Sequence, residues 1–125
     1  MKSATRHTLF FGILLLLCSL SRAQSFGPFS LTASQCLTVD VGQKGTATYQ
    51  VLGSWTGTIQ PKVSVAGQPA VNGQTTPAAS TTPQSTITGN GAFFTPVSGY
   101  SSFILCGATI TNTATVYVNV SSAAR

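Results

Sequence analysis

The sequence predicts an all-β domain: a two-sheet antiparallel β-sandwich, Ig-like or jelly-roll-like, of about eight or nine short strands. Three observations carry this. Short runs rich in Val, Ile, Thr, Tyr and Phe recur about every 8–12 residues. Gly, Pro or Asn stand between the runs. No segment sets apolar residues at helical spacing among helix formers.

The chain begins with a segment unlike the rest. Lys2, Arg6 and His7 precede the apolar run from Leu9 to Leu20, and Ser21-Arg22-Ala23 puts small residues at the −3 and −1 positions of a cleavage site. Residues 1–23 are therefore expected to be a secretory signal peptide, with residues 24–125 as the secreted domain. An uncleaved anchor needs about 20 apolar residues, and this run is shorter. Lipidation at Cys18 is disfavoured because Leu17 stands where a small residue is usual. Any membrane contact is expected only through the signal before cleavage, and the product is expected outside the cell or in the periplasm or envelope.

Each strand has its own signal. The clearest are Cys36–Val41, Thr46–Leu52, Thr58–Val65, Ser101–Ala108 and Ala114–Val120; weaker ones are Phe26–Leu31, Ala70–Thr75, Ser85–Thr88 and Ala92–Val97. Gly42-Gln43-Lys44-Gly45 reads as a turn, and Gly89-Asn90-Gly91 offers the positive φ of a tight hairpin, so consecutive strands are expected to be antiparallel. In the last strand Val116, Val118 and Val120 alternate with Thr115, Tyr117 and Asn119, which predicts one buried and one wet face. Phe103-Ile104-Leu105-Cys106 is apolar without alternation and predicts a central strand buried on both sides. From Ala66 to Asn90 the residues turn to Gln, Pro, Thr, Ser, Ala and Gly, with Pro69, Pro77 and Pro83 preventing a long central strand. A loop or ragged edge is expected there, with Pro guarding the edge against stray pairing.

Export makes the two remaining cysteines, Cys36 and Cys106, partners in a disulfide. Closing a loop of roughly 70 residues is worth about 4 kcal/mol on the chain-entropy argument. A catalytic thiolate would need a His or clustered cations, and residues 24–125 hold no His. Alternation puts Leu37, Val39 and Val41 on one face and Cys36, Thr38 and Asp40 on the other. With the first face in the core, Cys36 has to meet its partner near a strand end or a sheet edge.

Charge and composition exclude more than they assign. The full chain carries +5, but residues 24–125 hold Lys44, Lys62 and Arg125 against Asp40, which is +2. With no His and no Glu there, His-based acid–base chemistry, paired-carboxylate glycosidases and His-ligated metals are excluded, and no metal or cofactor is implied. Three separated cations make a poor nucleic-acid surface. No phosphate loop is present, and no S-x-x-K spacing precedes either lysine.

The stretch Thr46–Gly67, built on Gly53-Ser54-Trp55-Thr56-Gly57-Thr58-Ile59 and followed by a strand ending Ser64-Val65-Ala66-Gly67, resembles small β-sandwich modules of phage virion and tail-associated proteins and of bacterial secreted proteins. Asn90-Gly91, Val97-Ser98-Gly99-Tyr100 and Ala114-Thr115-Val116-Tyr117-Val118 also resemble that module's hairpin, its entry to a central strand and its last strand, so the likeness covers about residues 34–120. Ala66 departs from an Asp common in those modules, and Pro69 or Val71 from an aromatic. The resemblance implies a non-catalytic sandwich for assembly or attachment, and brings no catalytic residues with it.

Few side chains are left as ligand-binding candidates. Trp55 reads either as a plug at one end of the sandwich, the favoured reading, or as a platform for a sugar or a protein partner. Tyr49 and Tyr117, placed on outward or half-buried positions, are candidates to join it. An isopeptide bond from Lys44 or Lys62 to Asn72, Asn90, Asn112 or Asn119, promoted by a buried Asp40, is a further possibility. Asn119-Val120-Ser121 matches a glycosylation acceptor, read here as an ordinary strand position. Two functions follow: a structural or surface-attachment module that meets a protein or glycan surface and is able to self-associate, or a carbohydrate-binding module with Trp55 as its platform.

Overall fold

The computed structural model describes residues 23–122, so the expected signal peptide, apart from its last residue Ala23, and Arg125 lie outside the described residues. Nine strands form: β1 (Ala23–Leu31), β2 (Cys36–Asp40), β3 (Thr46–Leu52), β4 (Ile59–Ser64), β5 (Val71–Asn72), β6 (Thr76–Pro77), β7 (Gly91–Pro96), β8 (Ser102–Gly107) and β9 (Ala114–Ser121). They build a five-stranded sheet in the order β1-β9-β3-β7-β6 and a four-stranded sheet in the order β2-β8-β4-β5. Every pairing is antiparallel.

The pairing is nested: β1 with β9, β2 with β8, β3 with β7 and β4 with β5, alternating between the two sheets. Such a rolled-up long hairpin is a jelly roll. The Ig alternative is not what forms, because an Ig domain keeps its last two strands in one sheet and here β8 and β9 lie in different ones. The nesting leaves few consecutive strands as neighbours, and it corrects the expectation of a tight hairpin at Gly89-Asn90-Gly91. Only β4/β5 and β6/β7 pair directly; the 42–45 turn carries the chain from one sheet to the other, and the residues before Gly91 bridge Ile87 to Ile59 rather than form a hairpin with β7.

Alternation decides what is buried. In β9, Ala114, Val116, Val118 and Val120 point inward, as expected, and in β3 Ala47, Tyr49 and Val51 do the same. The central strand β8 places Phe103 and Leu105 in the core, while Ile104, on its other face, is also buried, in register between Thr38 and Lys62. Both faces of that strand are thus covered, as its unalternating sequence predicts.

β1 solves a parity problem. Phe26 and Phe29 are three residues apart and would face opposite sides of a regular strand. A bulge with a cis Gly27-Pro28 bond sits between them, pairing Phe26 with Val118 and Phe29 with Val116, so both rings pack against the core. The extra residue falls opposite Tyr117.

The segment 66–90 is the ragged edge that its composition predicts, and it closes both sheets. β5 ends the four-stranded sheet and β6 ends the five-stranded one, each with two residues. Pro61 shows why the edge beyond β4 is broken. Ile59 exchanges two hydrogen bonds with Ile87, and Pro61 accepts from Gly73 at 2.9 Å but has no N–H to give back. Of the weaker strands, Phe26–Leu31 and Ala92–Val97 form, Ala70–Thr75 shrinks to β5, and Ser85–Thr88 is reduced to the Ile87 bridge.

Candidate functional site

Cys36 and Cys106 form a disulfide between directly opposed residues of β2 and β8, with Cα atoms 4.0 Å apart. Backbone bonds from Gly107 to Gln35 and from Val41 to Ser101 mark the hydrogen-bonded positions of this ladder. By alternation the cysteines occupy a non-hydrogen-bonded pair, where strands approach most closely. The outward parity of Cys36 is met as expected, at the start of an edge strand. The bond fastens that edge to the middle of its own sheet and does not join the two sheets.

Trp55 is the plug, not the platform. It is 8% exposed, its indole N–H donates to Asn90 Oδ1 at 2.7 Å, and Asn90 Nδ2 donates to Gly53 O at 2.8 Å. The flanking glycines let this loop press on the β8–β9 connection. A Cβ on Gly57, at φ +118°, would lie 1.8 Å from Thr109 O, and one on Gly53, at φ +114°, 3.0 Å from Thr113 O. The Gly-x-Trp-x-Gly motif is therefore an end closure.

Tyr49 is likewise not on the surface. It is 2% exposed, on the inward face with Ala47 and Val51, and its ring packs on Phe93 and Phe103 at centroid distances of 6.0 and 5.0 Å. Its hydroxyl is bonded to Thr75 and, at 2.9 Å, to Thr95, whose own hydroxyl donates to Gln74 O at 2.9 Å. One proton per hydroxyl then orders the chain: Thr75 donates to Tyr49, and Tyr49 donates to Thr95. Burial pushes the phenol up to about 12, against the lowering effect of the two threonines.

The isopeptide arrangement is not assembled. Lys62 and Asn72 are opposed across β4 and β5, but Asp40 sits on β2, two strands away, which is roughly 10 Å by strand spacing. Asp40 is exposed, and its Oδ1 accepts from Gly42 N in the turn at 3.1 Å. Asn90 is held by Trp55 and Gly53, Asn112 donates to Ser54 O, and Asn119 accepts from Ser25 Oγ. Among the described residues no cluster of His, Cys, Asp and Glu has metal-site geometry, and no helix is long and apolar enough to cross a membrane.

Tyr117, 45% exposed, is the one aromatic candidate that does face solvent. It belongs to a site made by register rather than by local sequence. Ser25, Asn119, Thr48 and Phe94 align in one row across β1, β9, β3 and β7; Gly27, Tyr117, Gln50 and Ala92 line up in the next. These rows border an open groove of about 390 Å³ on the outer face of the five-stranded sheet. Small Ala92 leaves the depression, and Gly27 lets Tyr117 lie close, since a Cβ there would be 3.3 Å from Tyr117 Cδ1. Asp40, Lys44 and Lys62, the charged residues among those described, do not line this groove. Of the exposed side chains at the groove, Tyr117 is the candidate that the sequence singles out for binding; Ser25, Thr48, Gln50 and Asn119 are ordinary strand positions that become a site through pairing between distant segments.

No protein-family model matches the chain, and no curated protein matches it. Solved structures do. The SPBc2 prophage-derived protein YomS superposes with a TM-score of 0.70 at 16% identity, covering 78% of this chain and 91% of YomS. The PBSX exported protein XepA gives a TM-score of 0.70 at 14% identity over 79% of this chain and 37% of XepA, so the chain spans little more than a third of that protein. At these identities the likeness is one of fold: this jelly roll is the fold of small phage-derived β modules.

Proposed function

We propose that the chain is a secreted, non-catalytic module with a structural or surface-attachment role, working through the outer face of its five-stranded sheet. The observation that carries this reading is the groove of about 390 Å³ in which Ser25, Thr48, Gln50, Asn119 and the exposed ring of Tyr117 stand around a largely apolar floor that includes Phe26, Ala92 and Val118. The reactive candidates elsewhere have structural duties: both cysteines are bridged, Asp40 holds a turn, and Tyr49 is locked in the core. Export is supported by the signal-like N-terminus and by the description of XepA as an exported protein. A carbohydrate platform on Trp55 is not proposed, because that ring is buried.

Co-sedimentation of the purified protein with cell-envelope and with phage-particle fractions tests the reading. Saturable co-sedimentation that persists at high salt is expected, since among the described residues the groove is lined by no charge for salt to screen. Absence of association with either fraction, or turnover of a substrate by the protein alone, would overturn it.

A further inference from the structure

We infer that the groove beside Tyr117 is a binding site for a neutral oligosaccharide; this rests on the attachment reading and names the ligand of that same face.

The chemistry of the border points to this class. A pyranose ring has an apolar C–H face and a rim of hydroxyls, each both donor and acceptor. Tyr117 supplies an exposed aromatic ring, held low against β1 because Gly27 has no side chain to lift it. Around it stand Gln50, Asn119, Thr48 and Ser25, two amides and two hydroxyls, which are the neutral groups that donate and accept at once. Among the described residues, the side chains of Thr48, Gln50 and Tyr117 make no hydrogen bond to protein, so their capacity is directed outward. Asn119 accepts from Ser25 at 3.2 Å, which orients its amide and keeps Nδ2 for a ligand.

Charge separates this class from its rivals. A phosphate, a uronic-acid polymer or a nucleic acid needs a cation to offset the loss of water, and among the described residues none lines this groove. An uncharged polyol exchanges its hydrogen bonds to water for bonds to amides and hydroxyls at small net cost. The volume of about 390 Å³ falls within the range of small-ligand sites, and the groove is open, as a polymer segment requires.

The test is titration of the isotope-labelled protein, followed by amide chemical shifts, with neutral hexasaccharides of glucose, mannose, xylose, galactose and N-acetylglucosamine, and with polygalacturonate as the charged counterpart. At least one neutral sugar is expected to shift amides of β9 and β3 saturably, with polygalacturonate silent. Tyr117→Ala should weaken that binding by about tenfold or more, and Tyr117→Phe by less than about threefold. Gln50→Lys, at an exposed position whose side chain makes no hydrogen bond among the described residues, serves if the alanine variant does not fold, and should also abolish binding. No response on β9 and β3 to any of the five sugars, or equal binding by Tyr117→Ala with an unchanged melting temperature, overturns the proposal. If the sugars fail while envelope or particle co-sedimentation persists, the ligand class is wrong and the attachment reading stands; if both fail, both fall.

Discussion

The indole N–H of Trp55 donates to Asn90 Oδ1 at 2.7 Å, and the same amide of Asn90 donates to Gly53 O at 2.8 Å. One side chain thus joins the loop after β3 to the residue before β7, and it satisfies the polar atom of the largest ring in the closure. The tryptophan has become part of the end wall of the sandwich.

Fluorescence reads this directly. Emission from Trp55 should be blue-shifted and nearly insensitive to iodide, and it should become red-shifted and quenchable only on unfolding. Asn90→Ala should cost about 1–3 kcal/mol in denaturant melts, because it leaves the buried indole N–H without its acceptor.

Tyr49 gives a pH prediction. Its folded pKa, about 12, stands above the ordinary value of 10.0, so the unfolded chain holds fewer protons than the native one between those values. The stabilisation is complete below pH 10 and is lost as the pH rises toward 12. Chemical melts at pH 9, 10.5 and 11.5 should show stability falling by about 2 kcal/mol across this window, and Tyr49→Phe should flatten the dependence. The same variant removes a donor and an acceptor from the Thr75–Tyr49–Thr95 chain, costing about 1–3 kcal/mol at neutral pH.

Reduction of Cys36–Cys106, or the paired Cys→Ser variant, should lower stability by about 2–4 kcal/mol, a fall of roughly 10–25 °C in Tm for a domain of this size. Because the bond lies within one sheet, the two sheets should remain packed at low temperature, with amide exchange rising first in β2. Circular dichroism with hydrogen exchange checks both statements.

Gly57→Ala should be among the most damaging single changes. Its Cβ would sit 1.8 Å from Thr109 O at a φ of +118°, so the backbones of two connections would have to separate. A loss of about 4 kcal/mol or more is expected, read as a collapse in soluble yield or in denaturation midpoint.

Particular residues show how far the sequence can be read. Val116, Val118 and Val120 announce their face, and the apolar run Phe103–Cys106 announces a central strand, because both signals are local. The wrong parity of Cys36 for the core pointed correctly to an edge. Tyr49 shares parity with Ala47 and Val51 and is buried rather than outward or half-buried as expected; the threonines that satisfy its hydroxyl are 26 and 46 residues away and leave no local trace. Phe26 and Phe29, three apart around Gly27-Pro28, carried a readable signal for the bulge. The groove left little signal, since it exists only when β1, β9, β3 and β7 align, and that alignment is set by contacts across the whole domain.

The central claim is that the outer face of the five-stranded sheet is the working surface and the opposite face is not. The most direct measurement compares Gln50→Lys on the first face with Thr38→Lys on the outer face of the four-stranded sheet, both at exposed positions. Each is scored for co-sedimentation with envelope and phage-particle fractions and for melting temperature. The account predicts that Gln50→Lys loses association while Thr38→Lys keeps it, with both folds intact. Equal association by the two variants, or loss confined to Thr38→Lys, would contradict it.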